Sequence, residues 1–312
     1  MKPGKRTRLA AGLLTLLSVM CFTPSCLAQD LEPRRWTHLP VGLNVIGVGL
    51  SSGSGDILFD PVLRAEDVTF DLYGSGMSYV HSFGLAGKTA RIDVVAPYAS
   101  GRWEGLVDGV DTIVRRRGLA DARIRFSVNL YGAPALKGKE FQEYRARNPS
   151  NTTIGVAVAI SIPTGDYNNQ WLINLGSNRW IFGPQLGVLH QRKNWQFELT
   201  GSVLLFGDND DFWEGTERKQ DPLWFLQGHA IYSFKPGLWA SLSVGFAHGG
   251  QNTINDVPKL DDYRTPYMAL SLGTSVGKKQ SLKFAYIRAR TNTSLGTDTD
   301  IFALGWSYRW AR

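Results

Sequence analysis

The stretch that decides the fold is the last one, residues 300–312, DIFALGWSYRWAR. Phe302, Leu304, Trp306, Tyr308 and Trp310 alternate with Ala303, Gly305, Ser307 and Arg309, so a strand built from it has one large apolar face and one small or polar face. In water, an apolar aromatic face at a chain terminus is a liability. Lipid is the solvent in which it is an asset.

The same pattern repeats upstream. TARIDVVAPYA at 89–99 sets Ala90, Ile92, Val94, Ala96 and Tyr98 opposite Arg91 and Asp93. ADARIRFSVNLY at 120–131 sets Ile124, Phe126, Val128 and Leu130 against Arg123, Arg125, Ser127 and Asn129. IGVAVAISI at 154–162 alternates branched residues with Gly155, Ala157, Ala159 and Ser161. Further segments lie at 195–206, 238–248, 267–276, 281–290 and 300–310, with weaker ones at 40–50, 68–85, 180–190 and 223–234. That makes about 12 alternating segments of roughly ten residues, the length a tilted strand needs to cross a bilayer.

The connections alternate too. LAGK, QRKN after His190, KPG after Phe234 and GKKQ after Val276 are short. Residues 51–67, 100–118 and 163–179, GDNDDFWEGTERKQDP from Gly207, GGQNTINDVPKLDDYRTP from Gly249 and TNTSLGTD are long and polar. Short turns in the periplasm and long loops outside are the asymmetry of an outer-membrane barrel. An even strand count lets the first and last strands pair, and a closed sheet is the β structure that spans lipid. The expected fold is all-β, a transmembrane antiparallel up-and-down β-barrel. One long connection, residues 132–151, falls on the short-turn side; Phe141 and Tyr144 at helical spacing among charges predict a short periplasmic or lumen-plugging helix there.

Export is expected from the N-terminus. Four basic residues, an apolar run from about Leu9 to Thr23, and Cys26-Leu27-Ala28 form a secretory signal peptide ending at Ala28. Both cysteines fall within it, so the mature 29–312 domain has none and is no disulfide scaffold. Its removal takes four of the positive charges and lowers the formal net charge from +7 to about +3. Nucleic acid is therefore not an expected partner, and no mature apolar run is long enough for a spanning helix. The 34 glycines and the 10 Trp, 11 Tyr and 15 Phe suit strands and turns better than helices.

With the bulky face in lipid, the other face lines the lumen. Arg91, Asp93, Arg123, Arg125 and Asn129 point inward from the early strands, and Glu198, His229, Lys283 and Arg309 from the later ones, as do Gln185 and Gln227. A mixed set of charges can bind a solute, screen ions, or pair internally to fill a narrow barrel. Trp171, Trp180, Phe212 and Trp213 in the outer loops are candidate solute contacts, and equally candidates for interface girdle or loop packing. Asp208, Asp210 and Asp211 form a weak calcium candidate, since Phe212 occupies the third ligand position of a calcium loop; no metal or cofactor is expected. Arg115, Arg116 and Arg117, expected in an outer loop, suit lipid phosphates. An enzyme is not expected: His248 is the one histidine at the outer end of a strand on the lipid face, and no serine sits convincingly beside it.

Several motifs carry a family likeness. NLYGAPAL from Asn129, PTGDY from Pro163, LINLGSNRW from Leu172, GDNDDFW from Gly207, QDPLW from Gln220 and KPGLW from Lys235 resemble the meta-pathway of phenol degradation family, a transporter-like group of bacterial outer-membrane barrels. The likeness runs from about residue 38 to the end. It implies an outer-membrane protein that moves hydrophobic or aromatic compounds, and it assigns no binding residues.

The functional expectation is an outer-membrane channel or uptake protein for small solutes, with a closed structural or adhesive barrel and a lipid-modifying enzyme as alternatives. Expected partners are a small-molecule solute, outer-membrane lipid and lipopolysaccharide, and the barrel-assembly machinery. The closing strand, Phe302, Leu304, Trp306, Tyr308 and Trp310, resembles the C-terminal signal that this machinery reads.

Overall fold

The computed structural model describes residues 31–58, 65–107, 109–171, 173–292 and 296–311. The segment read as a signal peptide lies outside the described residues. Strands run in chain order as β1 (Leu43–Leu58), β2 (Ala65–Leu85), β3 (Lys88–Val107), β4 (Val110–Leu119) and β5 (Ala122–Tyr131). Helix α1 (Gly138–Arg147) follows, then β6 (Ser150–Ile162), β7 (Ile181–Arg192), β8 (Trp195–Phe206), β9 (Arg218–Gln220), β10 (Leu223–Lys235) and β11 (Leu238–Gly249). The chain closes with β12 (Asn252–Ile254), β13 (Val257–Pro258), β14 (Tyr263–Val276), β15 (Gln280–Ala289) and β16 (Gly296–Ala311).

Twelve strands form a closed antiparallel barrel. Neighbours in sequence pair in turn, and β1 pairs with β16 from Leu43↔Ala311 to Leu58↔Gly296, which removes the sheet edge. Ala311, which follows the last aromatic, is thus part of the closing strand. The bulky residues of each strand, such as Leu186, Leu199, Leu242, Leu270 and Phe284, are exposed on the outer face, while their alternates are buried or face the bore. In a water-soluble sheet that pattern would be inverted; here the outside meets lipid. Tight turns close the periplasmic end. Between β2 and β3, Ala86 and Gly87 both adopt positive φ, as a two-residue hairpin turn of matching twist requires.

Two outer loops of the sequence reading are strand instead. Residues 51–58 extend β1, and residues 100–107 and 110–119 extend β3 and form β4, so Arg115, Arg116 and Arg117 sit in a strand. The physical reason is that β1 to β4 stand taller than the lipid band. Above it the outward face meets water instead of lipid, so outward residues such as Ser52, Ser54, Arg102 and Glu104 are polar, and the backbone pairing continues without apolar alternation. β4 and β5 are one strand descending to the periplasmic end, broken at Ala120-Asp121. β3 pairs with β5 over Ala90–Val95 and with β4 over Tyr98–Val107.

On the opposite wall the outer loops knit into a lid. β9, β12 and β13 form a small separate sheet, with Asn252↔Gln220 and Thr253↔Pro258 in register. Arg218 lies over the Phe212 ring and donates from Nε to Asn252 Oδ1 at 2.8 Å, while Asn252 donates to the buried Asp261. Tyr167 and Asn169 tie the 163–180 loop to Asp211. Beneath this lid, Ile181, Leu204, Leu223, Phe225, Tyr267 and Ala269 form an apolar cluster inside the upper barrel.

Candidate functional site

Residues 31–42 contain no regular element, yet they hold some of the most buried side chains in the protein. The segment enters at the periplasmic end, where Val41 and Gly42 donate backbone hydrogen bonds to Leu136 and Ser82, and climbs inside the barrel to Leu31. Leu31 joins the apolar cluster under the lid. Trp36 is 0% exposed. Its indole lies against Gly155 of β6 and Gly187 of β7, where a Cβ on either glycine would overlap the ring. Trp36 Nε1 donates to Thr200 Oγ1 at 2.7 Å, so the one polar atom of the indole is satisfied.

Charge then fixes the register of the segment. Glu32 accepts a bond from Lys283 Nζ at 2.5 Å, and the Arg35 backbone N–H donates to Glu198 Oε1 at 3.1 Å. The Arg125 guanidinium lies 4.8 Å from the Trp36 ring, donates from Nε to Gln185 Oε1 at 2.8 Å, and stands 3.6 Å from Asp93. Asp93 also accepts from Arg91 Nε at 2.9 Å. Arg91, Asp93, Arg125, Glu198 and Lys283, all inward-pointing, are thus brought together around the N-terminal segment. His229 is inward as well, but packs into the wall, with Nδ1 2.7 Å from Ser243 Oγ and Nε2 3.2 Å from Gln227 Oε1. Asn129 lies beneath Trp36 beside Gly155. Arg309 sits at the periplasmic mouth and bonds the Lys278 carbonyl at 3.1 Å. Arg123 lines the open side of the bore.

That open side is a cavity of about 530 Å³ bounded by the N-terminal segment and by β1, β2, β3, β5, β15 and β16. Gly47, Gly49, Gly74, Gly76, Ala303 and Gly305 line it, so part of the wall is made of residues too small to fill the bore. One side of the lumen is packed by the segment and the other carries this cavity. The segment that fills it is the element sequence reasoning missed, because LEPRRWTHLPVG has neither strand nor helix periodicity; the signal was present in Gly155 and Gly187, gaps on an inward face that elsewhere carries larger groups.

The outer-loop aromatics separate into different settings. Phe212 and Trp213 are buried in the lid, 2% and 8% exposed, whereas Trp180 stacks on Phe182 at 6.3 Å on the outer surface. Trp171 is 39% exposed, with the Arg116 guanidinium 4.3 Å from its ring centroid. Asp208, Asp210 and Asp211 belong to the lid; Asp211 accepts from Asn169 Nδ2 at 2.8 Å. Among the described residues no three His, Cys, Asp or Glu side chains are grouped to hold a metal. Phe302, Leu304, Trp306, Tyr308 and Trp310 lie on the outward face of β16, where Trp306 Nε1 donates to Gln280 Oε1 at 3.0 Å.

At the periplasmic end, α1 clasps the segment. His38 packs edge-on to Phe141 and Tyr144 at 4.8 and 5.5 Å, and its Nε2 lies 2.8 Å from the Pro134 carbonyl. Burial, with Arg145 nearby, holds the His38 pKa below the ordinary histidine value. The clasp therefore keeps its full strength above about pH 6.5, where a free histidine is neutral too, and loses it as pH falls below that value, because the released state takes up the proton more readily. Hydrogen exchange of residues 36–42 should accelerate between pH 7.5 and pH 5 beyond the intrinsic rate change, and His38→Gln should remove that excess; an equal excess in the variant would place the pH sensitivity elsewhere.

A search of curated proteins finds no match. Among solved structures the chain resembles an outer membrane channel from Pseudomonas putida F1, at 20% identity and a TM-score of 0.75 over 89% of this chain and 99% of that one. It also resembles the transport unit of the autotransporter AIDA-I from Escherichia coli, at 9% identity and a TM-score of 0.52 over 92% and 96% of the two chains. These likenesses concern the fold, a barrel of the Gram-negative outer membrane, which is where this protein resides. Residues 27–312 match the family model described as "Putative MetA-pathway of phenol degradation", and the chain belongs to that family.

Proposed function

We propose that the protein is a passive outer-membrane channel for small hydrophobic or aromatic solutes, with the conduit running between the N-terminal segment and the wall of β1, β2, β3, β5, β15 and β16. The observation that carries this reading is the small-residue cavity beside a bore otherwise filled by residues 31–42. A barrel built only as a scaffold gains nothing from leaving about 530 Å³ open, since unfilled space forfeits packing contacts. The family's association with aromatic degradation supports the solute class. In this reading Trp171, exposed at the outer rim, meets the solute first, and the lumen charges meet it last. The chain is exported by a signal peptide ending at Ala28, and its closing strand Phe302 to Trp310 is read by the barrel-assembly machinery, with lipid and lipopolysaccharide around the finished wall.

The scaffold reading has one observation in its favour, the depth at which the N-terminal segment is packed. Planar-bilayer recording separates the two. The purified intact protein should carry a steady ionic current, and Trp171→Ala should slow uptake of a neutral aromatic into proteoliposomes while leaving that current unchanged. A silent protein, folded by its heat-modifiable migration, would favour the scaffold.

A further inference from the structure

The open cavity is asymmetric in charge. Arg35, Arg91, Arg123, Arg125 and Lys283 line it, against the carboxylates of Glu32 and Asp93. Among the described residues, and including Glu198, which lies behind the segment and accepts the Arg35 N–H, five positive groups outnumber three negative ones. Both lining carboxylates are already in contact with cations, Glu32 with Lys283 and Asp93 with Arg91 and Arg125. Guanidinium groups are less strongly hydrated than ammonium groups and present a planar fork that fits a carboxylate. Inside a low-dielectric barrel, an excess of one sign focuses the field on solutes of the other.

Apolar groups share the same cavity at a defined height. Along β3 the inward residues from the periplasm outward are Arg91, Asp93, Val95 and Pro97, and along β15 they are Lys283, Ala285 and Ile287. Most of the charge lies toward the periplasm and the apolar surface toward the outside, with Arg123, opposite Val95, at the level where the two meet. Phe70, Leu72 and Ile301 complete the apolar portion. The cavity's size is in the range that holds small-molecule ligands.

We infer that this cavity binds small amphipathic anions, of which aromatic carboxylates are the type, with the ring against Val95, Pro97, Phe70 and Ile287 and the carboxylate toward Arg123, Arg125 and Lys283. As a statement about uptake it rests on the channel reading above; as a statement about binding it does not. A neutral aromatic gains the apolar contacts alone. An aromatic cation gains them against an unfavourable field.

Calorimetric titration of the detergent-solubilised protein with benzoate, benzyl alcohol and benzylammonium tests this. Benzoate should bind about tenfold more tightly than benzyl alcohol, a difference of about 1.4 kcal/mol, and benzylammonium should bind most weakly. Arg123→Gln should lower benzoate affinity by about tenfold, leave benzyl alcohol unchanged, and be rescued in part by Arg123→Lys, with all three proteins keeping heat-modifiable migration. Equal affinity for the three probes, a preference for benzylammonium, or no binding of benzoate would overturn the inference. Bilayer recording keeps the two readings apart: benzoate binding without current contradicts the channel and leaves the site standing, while current without a benzoate preference does the reverse.

Discussion

Deletion of residues 31–42 should raise the single-channel conductance roughly twofold or more, with the barrel still folded. The segment fills one side of the lumen, and ion flow through a short wide pore follows the open cross-section. The barrel does not need the segment to hold together. Its strands pair with one another around a closed ring, with β1 joined to β16 along 16 residue pairs, and those backbone bonds are untouched by the deletion. The expected cost lies inside. Glu198 would lose its Arg35 N–H donor and Lys283 its carboxylate, and both would take water from the newly opened bore. Heat-modifiable migration should stay that of the intact chain. A deletion variant that conducts no better than the parent would show that the segment does not limit the pore.

The second large effect is expected from a single side chain. Trp36→Ala removes an indole that is fully buried, stacked under Arg125 and hydrogen-bonded to Thr200. Truncating a buried tryptophan costs about 3–5 kcal/mol. Here that cost falls on docking of the segment, not on closure of the barrel, so the released population should grow by about two to four orders of magnitude. Amide exchange of residues 33–38 should accelerate accordingly, and recordings should show frequent visits to the conductance of the deletion variant. Gly187→Val should give the same phenotype from the other side, because a side chain there takes the space of the indole while valine suits a strand. A Gly187→Val protein with exchange as slow as the parent would mean that Trp36 is not held in that slot.

Much of this architecture could be read from the residues. The lipid-facing alternation located all twelve membrane-crossing segments to within a few residues, because a strand with lipid on one side and a polar bore on the other has no other way to be written. The helix at 138–147 was visible in the spacing of Phe141 and Tyr144. The upper halves of β1 and β3 and all of β4 were not visible as strands, since above the membrane the outward face meets water and its residues lose the apolar character that marks the lipid-facing alternation. The N-terminal segment was harder still. Its conformation is dictated by the walls it touches, Gly155, Gly187, Thr200, Glu198 and Lys283, which come from four distant strands, and no local pattern in residues 31–42 encodes them. The lumen charges could be listed from the alternation, but their grouping about Arg125 depends on which strands adjoin, and on a segment that crosses the bore between them.

The central claim is that one side of the bore is a conduit and the other is packed shut by residues 31–42. Cysteine accessibility tests it most directly, because the chain downstream of Cys26 contains no cysteine. Ala303 lines the open side on β16, and Ser243, fully buried, lies in the wall on the packed side. A charged thiol reagent should modify Ala303→Cys quickly and lower its single-channel conductance. It should leave Ser243→Cys untouched in the intact chain and reach it after residues 31–42 are deleted. Rapid modification of Ser243→Cys in the intact chain, with Ala303→Cys protected, would contradict the account.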